Sequence, residues 1–144
     1  MDKGDLSNEV IPRILLVFEG VVGWLPPENK KTYDKLVRKG QWYYAVYEWE
    51  LNDLMLRKIW DVMFRQSREL DIITYIGGQP FADALAARLD EEDVPVRRVW
   101  YTTPAILSRK IALMPDVAAV FDPDPAHQFT YGGKGRVITS PHDL

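Results

Sequence analysis

Ile14-Leu15-Leu16-Val17-Phe18-Glu19-Gly20 is the stretch on which the fold turns: five apolar residues in a row, then a carboxylate, then a glycine. The run is continuous rather than alternating, which suits a strand covered on both faces, as in a parallel sheet. Pro12 opens it and Glu19-Gly20 closes it, so it reads as a first, central strand. The polar stretch Met1 to Glu9 before it reads as a loose terminus.

Downstream, the same grammar repeats. Asp71-Ile72-Ile73-Thr74-Tyr75-Ile76, Pro95 to Trp100, Val117-Ala118-Ala119-Val120-Phe121 and Arg136 to Thr139 read as further strands. Helices are predicted from Asn52 or Asp53 to about Glu69 with Leu54, Ile59, Met63 and Leu70 on the buried side, from Pro80 through Ala82–Leu89, and from Ala105 to Met114. Between the first strand and the first helix, Tyr33–Val37 and Trp42–Tyr47 flank an Arg38-Lys39-Gly40-Gln41 turn. Their aromatic and β-branched content predicts a β-hairpin flap. The order is that of a Rossmann-like, three-layer, doubly wound α/β domain with a mostly parallel sheet, spanning residues 1–144 as a single domain.

Composition agrees with such a domain. The chain has 144 residues, 47% hydrophobic and 27% charged, enough to bury a single core. A net charge of −3 gives no general nucleic-acid footprint, and the local cluster Lys30, Lys31, Lys35, Arg38 and Lys39 reads as a solvated edge, so nucleic acid is not the expected partner. With no cysteine, thiol catalysis, disulfides and Cys-ligated metals are excluded. No apolar run is long enough to span a membrane, and a soluble, cytoplasmic protein is expected.

In doubly wound folds the ligand crevice lies outside the carboxyl ends of the strands. Glu19, Thr74 and the pair Asp122/Asp124 fall there. Two aspartates one residue apart suit a hard divalent cation such as magnesium, with Glu19 as a third oxygen ligand, although Asp122-Pro123-Asp124-Pro125 is equally a good turn sequence. Thr74 is placed to hydrogen-bond a phosphate oxygen, and Lys110 to neutralise its charge.

Taken in order, these residues resemble the haloacid dehalogenase (HAD) superfamily from Ile14 to Leu144. The family's first motif, an apolar strand ending in Asp-x-Asp-Gly, is matched by Val17-Phe18-Glu19-Gly20. Its Thr or Ser after a second strand is matched by Thr74, its basic residue before the fourth strand by Lys110, and its acidic pair by Asp122 and Asp124. The chain is similar to the small capless forms, including phage-encoded ones. The resemblance implies an aspartate nucleophile, a second aspartate as general acid/base and magnesium between them. Here the nucleophile position is Val17, and the acid/base position carries the longer Glu19.

The resemblance therefore implies a phosphatase fold without its nucleophile: a pseudoenzyme acting as a binding or regulatory module, with magnesium affinity weakened or lost. A small phosphorylated ligand, or a protein partner or second copy docked on Trp42, Tyr43, Tyr44, Tyr47 and Trp49, would be its partner. Two alternatives stay open. One is a magnesium-dependent phosphohydrolase in which Glu19, Asp122 and Asp124 activate water directly. The other is a Toprim-type nucleic-acid enzyme, which shares Glu-Gly and Asp-x-Asp but fits poorly with the long segment after strand one.

Overall fold

A computed structural model describes residues 11–144; the expected loose terminus lies outside them. Five strands, β1 (Arg13–Val17), β4 (Glu69–Thr74), β5 (Arg98–Tyr101), β6 (Val117–Asp122) and β7 (Gly135–Val137), form one sheet in the order β5-β4-β1-β6-β7. Every pairing in it is parallel. β1 is central and all five of its residues are buried, the apolar Ile14–Val17 by packing and Arg13 through its ion pairs to Asp71 and Asp116.

The chain builds outward from β1 on one side through β4 to β5, then crosses back to add β6 and β7 on the other. The direction of winding reverses between β1 and β6, which makes their carboxyl ends the topological switch point of this Rossmann-like α/β fold. Right-handed crossovers require the connections before and after that reversal to lie on opposite faces. One face accordingly packs α3 (Asp53–Phe64) and α4 (Gly78–Glu91) on Ile14, Leu16, Leu70 and Ile72. The other packs the short α5 (Pro104–Lys110) on Leu15, Val17, Ile73 and Val120, with Tyr131 filling the place of a second helix.

Helix boundaries follow local chemistry. Asn52 caps α3 by accepting from the Met55 amide at 3.2 Å. The helix stops at Phe64, earlier than the expected Glu69, because Ser67 takes a left-handed φ of 51° and Glu69 has already joined β4. Its buried residues are Met55, Leu56, Ile59 and Val62, whereas Leu54 points to solvent. α5 starts at Thr103, whose hydroxyl accepts from the Ile106 amide, and gives way after Lys110 to a 3-10 turn, Ile111–Leu113, where a continuous helix was expected.

The segment after β1 departs most from expectation. The two flanks read as a β-hairpin are helices, α1 (Lys30–Arg38) and α2 (Trp42–Ala45), followed by a 3-10 turn at Val46–Glu48. Only β2 (Gly23–Trp24) and β3 (Glu50–Leu51), at the roots of the segment, pair antiparallel. Trp42, Ala45, Val46 and Trp49 recur at helical spacing, and burying that face on Phe81, Phe18 and Tyr33 outweighs the β preference of the individual aromatic residues. The segment thus covers the sheet with Trp42 and Trp49 and leaves Tyr43, Tyr44 and Tyr47 exposed. The basic cluster lies on and just after α1, solvent-exposed, with Lys30 paired to Asp34.

Candidate functional site

The switch point brings the chain after β1 against the chain after β6. Gly20 turns there with φ +84°, a conformation that favours glycine, and a side-chain carbon on it would meet Pro123 at 3.6 Å. Glu19 and the Asp122–Asp124 loop therefore meet at the switch point, as their places in the sequence imply.

There, the two carboxylates are held by different partners. Glu19 takes the Thr74 hydroxyl at 2.9 Å and the Tyr75 backbone N–H at 2.5 Å, one on each oxygen. Burial pushes its pKa up; the bonds from Tyr75 and Thr74 pull the other way, and the nearby Asp122 charge adds a smaller upward push. Asp122, only 3% exposed, receives more donors. Its Oδ1 accepts the Asp124 backbone N–H at 2.9 Å. Its Oδ2 accepts the Tyr75 hydroxyl at 2.7 Å and the Tyr131 hydroxyl at 3.2 Å, and His127 Nδ1 lies 2.9 Å away.

Tyr75 links the halves: its amide holds Glu19 and its hydroxyl holds Asp122, lying also 2.6 Å from the Tyr131 hydroxyl. Burial first, then the Tyr131 and Asp122 partners, drive the Tyr75 pKa far upward, and burial raises Tyr131 to about 12, so both stay protonated donors. Asp124 is exposed and spends one oxygen on the Ala126 amide, capping the 3-10 turn Pro125–His127; its other oxygen is 3.7 Å from His127 Nε2.

The structure thus brings together Glu19, Thr74, Asp122 and, at the rim, Asp124. Val17, at the nucleophile position of the resemblance, is fully buried in the core on the α5 face. Lys110 is elsewhere. α5 leaves the carboxyl end of β5 and runs back along the sheet, so its last turn lies toward the strands' amino ends, where Lys110 shares a groove with Arg13 and Met114. No hydrogen bond or ion pair among the described residues ties it to Glu19, Thr74 or Asp122.

Both Asp122 oxygens and both Glu19 oxygens face hydrogen-bond donors, and no group of three acidic or histidine side chains among the described residues converges as a ligand set. Tyr75, Tyr131 and His127 are the site residues that sequence reasoning missed. His127 carries a readable signal, five residues after Asp122 in a turn opened by Pro125. Tyr131 comes from a loop whose tertiary position no local pattern announces.

No family model, characterised protein or solved structure matches the chain. No helix among the described residues is long and apolar enough to cross a membrane.

Proposed function

We propose that this chain is a non-catalytic binding module in which the crevice that serves catalysis in HAD-like phosphatases is closed by hydrogen bonds. The observation that carries this reading is the state of Asp122. A carboxylate that accepts two tyrosine hydroxyls and a backbone amide, with an imidazole nitrogen also within hydrogen-bond distance, is anchored rather than open to a cation. Three further facts support it. The nucleophile position is a buried valine, Glu19 is satisfied by Thr74 and Tyr75, and the only lysine that the resemblance offers for phosphate points into another groove.

Loss of a covalent nucleophile costs orders of magnitude in rate, and neither remaining carboxylate is free to replace it. The test combines an aryl-phosphate assay in magnesium with an NMR titration of magnesium alone. The expected result is no turnover above buffer and no saturable shift of the Tyr75, Asp122 and Asp124 amides. Magnesium-dependent hydrolysis that disappears in Asp122→Ala would overturn the reading and restore the altered phosphohydrolase.

A further inference from the structure

The edge strand β5 and helix α5 enclose a groove of about 410 Å³ on the face of the sheet opposite α3 and α4. Its walls follow from two periodicities. Arg98 and Trp100, two apart on β5, project to the same side, and Ile106 and Lys110, four apart on α5, project toward them. Met114 and Arg13 close the end toward the strands' amino termini, and no carboxylate lines the groove.

We infer that this groove binds a nucleoside phosphate, with the planar base on the Arg98–Trp100 platform and the phosphate between Arg98 and Lys110. The charge argument is one of leftovers. Arg13 is already neutralised by Asp71 and Asp116, at 3.0 Å each. Arg98 and Lys110 form no ion pair among the described residues, and both line this one groove, whose lining includes no carboxylate. A phosphate supplies the missing charge and enough acceptors for both.

The aromatic argument concerns orientation. Trp100 is half-buried, and its indole nitrogen donates to the wholly buried Asp71 at 2.9 Å, which fixes the plane of the ring. The Arg98 guanidinium lies over that ring, 5.5 Å from its centroid, within the roughly 6 Å reach of a cation–π contact. A flat guanidinium on a fixed indole is a stacking surface for a planar ring, and the same Arg98 reaches toward an attached anion. At the other end lie Gln79, whose side-chain amide is held by Asp83 and the Tyr101 N–H, and the buried Thr102. The volume is within the range of small-ligand sites.

The groove is separate from the crevice at Glu19 and Asp122, and its test reads binding rather than turnover, so either proposal can fail without the other. Calorimetry with ADP and with UDP, compared with adenosine and inorganic phosphate alone, provides it. ADP or UDP is expected to bind with a Kd below about 1 mM, and each fragment at least about tenfold more weakly. Arg98→Ala/Lys110→Ala removes two exposed side chains and is expected to fold normally by circular dichroism while losing at least about tenfold in affinity. No binding of either nucleotide, equal binding by the double variant, or phosphate binding as tightly as ADP would each overturn the inference. Chemical shifts supply a second measure: the Trp100 indole N–H, identified by its loss in Trp100→Phe, should move on adding ADP, and a stationary signal counts against the site.

Discussion

Two buried aspartates sit on the same face of the same sheet and are stabilised in opposite ways. Asp71, mid-strand in β4 and fully buried, is held by two cations, Arg13 at 3.0 Å and Arg97 through two nitrogens at 2.7 and 2.8 Å, and by the neutral Trp100 indole N–H. Asp122, at the carboxyl end of β6, sits among tyrosine hydroxyls, an imidazole and a backbone amide. The first is an ion-pair network that ties three strand regions together. The second is a hydrogen-bonded cluster at the mouth of the crevice, which ties the loop after β6 to the end of β4. The difference sets a buried carboxylate held by opposite charges mid-strand against one held chiefly by hydroxyl and backbone donors at the switch point.

The largest effect is expected at Asp71. Removing one member of a buried charge network strands the others, so Asp71→Ala should lose about 3–5 kcal/mol of unfolding free energy, read from urea denaturation. Arg97 holds its proton more firmly than usual, chiefly through its hydrogen bonds to Asp71, and that preference should vanish in the variant. Arg97 is more exposed than Arg13, so Arg97→Ala should cost less than Arg13→Ala.

At Asp122 the donors left behind are mostly neutral, and two of them can turn toward each other or toward water. Asp122→Ala is therefore expected to cost about 1–3 kcal/mol, and Tyr131→Phe about 1 kcal/mol. Equal losses for Asp71→Ala and Asp122→Ala in the same urea series would erase the contrast between a charge network and a hydrogen-bonded plug. A larger loss at Asp122 would invert it.

The sequence made one half of this contrast easier to see than the other. β1, β4 and β6 were legible because strands covered on both faces carry near-continuous apolar runs, and the carboxyl-end placement of Glu19, Thr74 and Asp122 follows from chain order alone. Asp71 carried a signal that went unused: an acid followed by Ile72-Ile73 in a buried strand requires a cation opposite it. Residue-by-residue β preference points to a hairpin where α1 and α2 lie, but the helical spacing of Trp42, Ala45, Val46 and Trp49 prevails once that face is buried. The plug itself was not legible, since Tyr75 and Tyr131 meet Asp122 from 47 and 9 residues away and only the tertiary structure sets those contacts. Lys110 was misplaced for a similar reason: its position before the fourth strand is right for the resemblance, but the direction of α5 carries it to the far end of the sheet.

The smallest effect distinguishes the two carboxylates within the crevice. Burial raises the Glu19 pKa above its ordinary value of 4.5. A carboxyl group whose folded pKa is raised favours the folded state fully only below its unfolded pKa, and that contribution is lost as pH rises through the raised folded value. Glu19→Gln keeps an acceptor for the Tyr75 amide and lets the Thr74 hydroxyl accept instead of donate, so below pH 4.5 the two proteins should agree to within about one hydrogen bond, roughly 1 kcal/mol. Above that pH the parent should lose stability relative to Glu19→Gln until the raised pKa is passed, after which the gap stays constant. Urea midpoints measured across that window give the sign directly. A parent that instead gains on the variant as pH rises would mean that the bonds from Tyr75 and Thr74 outweigh burial.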